Sequence, residues 1–388
     1  MRTKKRSLMP IHPISQNTTF YQALQVSPDL DLRDQRGKIH DLPLILLGLT
    51  LSLLRGKDGS LSSIHRGMQH THQTLCTFLE IEKCPVVSRA HLPLVLQKVN
   101  LSVFEKLLFS YYGVNLSVEQ KKWFAADGKE LRGSIALGDK RGEAVVQIVD
   151  HVERSVAAQA FYNGRKESEK PTLRALLAQN KLLDQCISMD ALHLDPTTLA
   201  PIAQAGGWFL VALKGNQEEL SGELQRVAQY LPVEQKAQTV EKGHGRVDQR
   251  DYRVYDVKEQ YFDARWNECN FTALVKVERN RLILKTGQQS QETAWFLSNA
   301  PIEQGKQLFV AVRQHWSVET NNHIRDVTLR EDNLRTTKNP LSRVLAGFRT
   351  LVIKLLQKCK PKNMTAQIER FQDDFTYLLA SLKQIGFL

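Results

Sequence analysis

The chain has 388 residues, 42% of them apolar and 7% aromatic, an ordinary globular composition long enough for two or three domains with proper cores. Its formal charge is +12 and its pI about 9.4, an excess that a polyanion such as nucleic acid would offset, although a merely basic soluble protein fits as well. Five scattered cysteines with no Cys-x-x-Cys pair argue against a disulfide framework or a thiolate zinc knuckle and suit a reducing cytoplasm.

Residues 1–19, which open Arg2-Thr3-Lys4-Lys5-Arg6, read as a basic arm, because no sustained hydrophobic region or small-residue cleavage site follows. Residues 20–122 read as an all-α domain, with apolar blocks over 44–54, 75–81 and 92–108 broken by Pro85, Pro93 and Gly113. The first block is about half the roughly 20 residues a bilayer span needs, so it is expected as a buried helix closed off by Asp41 and Arg55. From 123 to 236 short β-like runs appear at 123–126, 144–149, 156–162, 186–189 and 208–213, with helical patterns over 171–179 and 196–205. Three strands followed by alternating helix and strand predict an α/β fold, a mixed sheet flanked by helices. Residues 237–299 add strands at 251–257, 271–277, 281–284 and 293–297 and read as a β-rich insertion. Over 300–388 a long helical segment begins near Glu303, and a last helix repeats Leu341, Val344, Leu345, Phe348, Leu351, Val352 and Leu355 at core spacing.

Three carboxylates stand out from the 41 acidic residues by their contexts. Asp127 follows Trp123-Phe124-Ala125-Ala126 and precedes a glycine, which places a charge where burial is costly unless it is paired or metal-bound; the plainer reading is an Asp-Gly turn. Asp190 follows Cys186-Ile187-Ser188-Met189, with His193 three residues on. It reads either as a site carboxylate or as a helix N-cap, although Asp195-Pro196 is the better helix start. Glu319 lies in Arg313-Gln314-His315-Trp316-Ser317-Val318-Glu319, where His315, Glu319 and His323 share one helical face; it reads as a metal-site carboxylate, as a solvated helix glutamate, or as part of a zinc set. An Asp on a strand, an Asp at a strand end and a Glu on a neighbouring helix form a set that can hold two Mg²⁺ ions about 3.5–4 Å apart for phosphodiester chemistry, since Mg²⁺ takes oxygen ligands and keeps its waters.

Six ordered motifs carry a family resemblance over about residues 31–335. They are Asp31 to Lys38 with 46–56; Asp127-Gly128-Lys129 with Leu131-Arg132-Gly133-Ser134; Asp190-Ala191-Leu192-His193; Leu213-Lys214-Gly215-Asn216-Gln217; His244-Gly245-Arg246 with Arg250; and Arg313, Trp316, Glu319, Asn322-His323, Arg325-Asp326-Val327 with Glu331-Asp332. Together they resemble the transposases of the H-repeat-associated insertion-sequence family, within the DDE superfamily with an RNase H-like catalytic core. The resemblance implies Asp127, Asp190 and Glu319 as catalytic and metal-binding residues, with two Mg²⁺ ions, or Mn²⁺ in their place. It implies DNA contacts from Lys129, Arg132, Lys214, Arg246, Arg313 and Trp316, Lys214 being equally a solvated strand-end lysine. Arg313 and Glu319 match part of the Tyr-Arg-Glu-Lys signature of related transposases. The chain departs from the family pattern by one residue fewer between His323 and Arg325, about 100° of register if helical, and by Asp195 where many members carry Gln.

The implied activity is DNA strand cleavage and strand transfer at the ends of an insertion sequence. The implied partners are double-stranded DNA, both terminal inverted repeats and target, with a homodimer in the synaptic complex, no membrane, and a cytoplasmic, nucleoid-associated location in a bacterium. A structure-specific nuclease on the same fold and a catalytically inactive DNA-binding descendant are the alternatives.

Overall fold

The computed structural model describes residues 18–82, 84–116 and 120–388, so the expected basic arm lies almost wholly outside the described residues. The chain forms two compact units: residues up to Tyr112 together with Val327–Leu388, and Gly113–Asp326 between them.

In the first unit, α1 (Phe20–Val26) starts from a Thr19 capping box. The apolar block becomes α2 (Leu42–Leu54), capped by the Asp41 carboxylate, which accepts from the Leu44 amide at 2.7 Å. All but one of its residues are buried, as expected of a helix apolar on every side inside a core. Next come α3 (Leu61–Phe78), α4 (Leu92–Leu96) and α5 (Leu101–Tyr112). Among the described residues no helix is long and apolar enough to cross a membrane.

The second unit opens with a meander of β1 (Trp123–Glu130), β2 (Glu143–Asp150) and β3 (Val156–Asn163). It continues through α6 (Glu169–Gln179), β4 (Cys186–Met189), α7 (Pro196–Gln204), β5 (Trp208–Leu213) and α8 (Glu218–Val227). Four long antiparallel strands follow: β6 (Gln235–Gly243), β7 (Arg246–Asp256), β8 (Ala273–Ile283) and β9 (Gln289–Ser298). The unit ends in α9 (Gly305–Gln314) and α10 (Trp316–His323), and its last residues enter a π-helical turn at Ile324–Thr328.

All nine strands form one mixed sheet in the order β3-β2-β1-β4-β5-β9-β8-β7-β6, with β1, β4 and β5 parallel. Alternation along the strands assigns the faces. Phe124, Ala126, Ile187, Met189, Phe209 and Val211 pack with Leu173, Leu199 and Leu224 of α6, α7 and α8. Leu210, Val254 and Val275 turn the other way and pack with Leu308 and Phe309 of α9.

The β-rich stretch is continuous with this sheet: β9 pairs with β5, and the Ser298 hydroxyl donates to the Phe209 carbonyl at 2.6 Å. Several expected elements shift. The separate runs at 271–277 and 281–284 are one strand, β8. The outermost strand, β6, has the polar sequence Gln235-Lys236-Ala237-Gln238-Thr239-Val240-Glu241-Lys242-Gly243, so no apolar alternation announced it. A 3₁₀ stretch, Ala264–Cys269, buries Trp266 against the core where no helix was expected.

The last three helices, α11 (Asn339–Lys358), α12 (Met364–Asp373) and α13 (Phe375–Gln384), belong to the first unit. The sequence pattern predicts a boundary at 122/123 and a core that continues to 388. The apolar stripe of α11 instead packs on α2, α4 and α5, and Phe348 stacks on Phe104 with centroids 4.3 Å apart.

Candidate active site

The ladder between β1 and β2 runs past the apolar residues, with Asp127 opposite Gln147 and Gly128 opposite Val146. Asp127 is therefore a mid-strand residue, and the Asp-Gly turn reading does not hold. It shares a face with Ala125, away from α6, and Asn322 of α10 donates to its Oδ2 at 3.3 Å. β4 lies parallel to β1 with Met189 beside Ala126, which brings Asp190 to the strand end next to Asp127. Asp190 also caps the short turn Ala191–His193, its Oδ1 accepting from the Leu192 amide at 3.0 Å. Asp195 separately caps α7 through the Thr197 amide. Asp190 is thus an N-cap, of this short turn rather than of α7. Glu319 rides on α10, which packs across β1 and β2.

The carboxylates act on one another. Asp127 is pushed up to about 7, first by burial, then by the negative charges of Glu169 and Asp190 and, more weakly, Glu319; the Gly128 amide opposes the rise. Burial also raises Glu319, with the Lys214 ammonium pulling the other way. A cavity of about 290 Å³ is lined by Asp190, Glu319, Lys214, Arg313, His315 and Trp316, among others.

Among the described residues, no three His, Cys, Asp or Glu side chains are arranged to enclose a metal ion. The donors facing Asp127 are nonetheless hard oxygens, and a carboxyl raised to about 7 by burial and by its acidic neighbours is one that a divalent cation would relieve. The chemistry of the set therefore fits Mg²⁺.

No family model matches the chain. It is 26% identical to the "H repeat-associated putative transposase YhhI" of Escherichia coli strain K12, over 70% of its own length and 74% of that protein's. It is 22% identical to the "Putative transposase YncI" of Escherichia coli O157:H7, over 76% of its length and 78% of that protein's. Against the "Putative protein YbfL" of strain K12 the values are 26%, 70% and 74%. The chain is thus similar, at 22–26% identity, to proteins named as putative transposases, one of them H repeat-associated.

The residues expected to touch DNA are placed in different ways. Lys214 and Trp316 are exposed at the cavity, Trp316 by 51%. Arg313 also lines the cavity, and its guanidinium makes two bonds of 3.1 Å to the Glu241 carboxylate. Arg246 pairs with Asp248 at 3.3 Å. Arg132 is exposed in the turn after β1. Lys129 is only 8% exposed and pairs with Asp326 at 2.7 Å.

The family motifs do not include Glu169, the first residue of α6. Its Oε1 lies 2.9 Å from Nε2 of the fully buried His193, and its carboxylate occupies the space a side chain at 128 would need. A Cβ on Gly128 would stand 2.0 Å from Glu169 Oε2, so the glycine is what lets a fourth carboxylate approach Asp127. Glu169-Lys170-Pro171 reads as an ordinary acidic helix start. The only hint was the glycine after Asp127, and it reads equally as a turn.

Proposed function

We propose that this chain is a DDE transposase with an RNase H-like catalytic core, which cleaves DNA at the ends of an insertion sequence and joins the freed ends to target DNA. The observation that carries the reading is geometric: β4 beside β1 brings Asp190 to the strand end next to Asp127, and Asn322 of the Glu319-bearing helix donates to the Asp127 carboxylate at 3.3 Å. The strand order β3-β2-β1-β4-β5, with its last three strands parallel, supports the RNase H-like core.

Asp127, Asp190 and Glu319 are the residues that would hold two divalent ions, Mg²⁺ or Mn²⁺. When bound, such ions supply activation of a water or 3′-hydroxyl and charge stabilisation at the leaving oxygen. The protein's own part is orientation and electrostatics. The strand and the capped turn fix the two aspartates, α10 carries the glutamate, and Lys214 places a cation at the same cavity for a phosphate. Double-stranded DNA is the proposed partner, met as a homodimer that pairs two ends.

The test is cleavage and strand transfer on labelled element ends by the full chain. Asp127→Asn, Asp190→Asn and Glu319→Gln are expected to lower both activities more than 100-fold while DNA affinity is retained. Cleavage without joined product would replace the reading with a nuclease. DNA binding by the wild-type chain without cleavage would make it an inactive descendant.

A further inference from the structure

Ser188 lies in β4, two residues before Asp190, and is 1% exposed between the core residues Ile187 and Met189. Its hydroxyl oxygen stands 2.9 Å from His151 Nε2, 2.9 Å from His315 Nδ1 and 3.2 Å from the Phe124 carbonyl oxygen. A hydroxyl has one proton and two lone pairs, and a carbonyl only accepts. All three contacts are satisfied together in one arrangement: Ser188 donates to Phe124 and accepts from both imidazoles. That sets His151 as the Nε2–H tautomer and His315 as the Nδ1–H tautomer. Both rings are neutral near pH 7, since burial lowers His151 to about 3 and His315 to about 4.

The chain of bonds joins three elements: the end of β2, β4, and the junction of α9 with α10. His315 is that junction and precedes Glu319 by one helical turn. At this junction the His315 amide donates to the Ala311 carbonyl at 2.9 Å and the Val318 amide reaches back to the His315 carbonyl at 3.3 Å. Past Glu319 the helix has two further ties, Asn321 donating to Gln147 at 2.9 Å and Asn322 to Asp127. Glu319 is thus bracketed, and the bracket on its N-terminal side is a buried serine.

We infer that Ser188 and His315, backed by His151, are positioning residues that lock the start of the Glu319-bearing helix to the strand ending at Asp190. The inference rests on the proposed roles of Asp190 and Glu319.

Two substitutions separate position from ring chemistry. His315→Asn keeps an amide donor near the place of Nδ1, whereas His315→Gln puts its amide near the place of Nε2 and gives up the bond to Ser188. The readouts are single-turnover cleavage of labelled ends at saturating protein, DNA affinity, and backbone hydrogen exchange over Trp316–His323. Ser188→Ala and His315→Gln are expected to slow cleavage at least tenfold, leave DNA affinity within twofold, and speed exchange of that helix at least tenfold. His315→Asn is expected to return cleavage and exchange to within threefold of the parent. Should Ser188→Ala fail to fold, His315→Gln, at a partly exposed position, carries the same test. Unchanged exchange in the variants that break the bond overturns the inference. So does a His315→Asn protein with parental exchange and cleavage as slow as His315→Gln, which would mean that the ring acts through Nε2. A wild-type chain that cleaves nothing defeats the proposed function instead, and exchange still decides the lock.

Discussion

Asp127 is where the carboxylates press on one another, and its titration has a definite sign. An aspartate in the unfolded chain titrates near 3.9, whereas the folded chain holds this one to about 7. Below about pH 4 both states carry the proton. As pH rises towards 7 the unfolded state releases it first, so this residue lowers folding stability by at most about 1.4 kcal/mol per pH unit. In chelator, the thermal midpoint of the parent is therefore expected to fall across that window, and Asp127→Asn to flatten the slope and melt higher than the parent at pH 7.5. A variant with the parent's slope would show that the group is not held protonated. Beside it, Gly128→Ala forces the Glu169 carboxylate to move and is expected to destabilise by about 1–3 kcal/mol, the usual scale of overpacking. Adding Glu169→Ala should recover most of that loss, and a denaturant double-mutant cycle measures the coupling. Additive losses would place the clash elsewhere.

Individual elements show how context sets these residues. α10 has almost no amphipathic character in its sequence, yet it lies across β1 and β2, held by polar ties. The segment after His323, where the resemblance implies one residue fewer, forms a π-helical turn, Ile324–Thr328, whose wider winding means that the α-helical register argument does not apply there. The four strands β6 to β9 read from sequence as an insertion, but β9 gives β5 its second neighbour. Replacing 235–298 with a short linker would uncover the β5 edge and the core residue Leu210, which packs against the deleted Val254 and Val275. It is expected to yield aggregated protein on size-exclusion chromatography rather than a soluble smaller core. A monodisperse product would make the stretch dispensable to the sheet.

Over the whole molecule, the net charge of +12 says only that the chain suits a polyanion. Which cations can meet phosphate is a matter of tertiary placement. Lys214 is exposed at the cavity, whereas Lys129 is buried against Asp326. In salt titrations of DNA binding, Lys214→Ala is expected to reduce the slope of log K against log salt by about 0.9, the release from one phosphate contact. Lys129→Ala should leave the slope unchanged, and the reverse pattern would reassign the contact.

The strands of the meander and the parallel pair were legible because apolar runs of strand length lay between turn signals, α2 because its unbroken apolar block is closed off by Asp41 and Arg55, and α11 because its apolar residues recur at helical spacing. Asp127, Asp190 and Glu319 could be singled out as candidates because each sits in a short motif whose neighbours are nearby in sequence. Strand β6 was not legible, since an exposed edge strand needs no apolar alternation; it takes its conformation from the ladder with β7. Glu169 and Ser188 were not either. A first-turn glutamate and a strand serine are common residues, and they acquire meaning only from Gly128, His193, His151 and His315, which the fold brings to them. Local sequence determined which segments are helix or strand and which carboxylates to watch, because propensity and periodicity act over a few residues. The approach of those carboxylates, the partner each cation takes and the helix that carries Glu319 were decided only by the sheet order and the packing of helices on it, since they depend on contacts between distant parts of the chain.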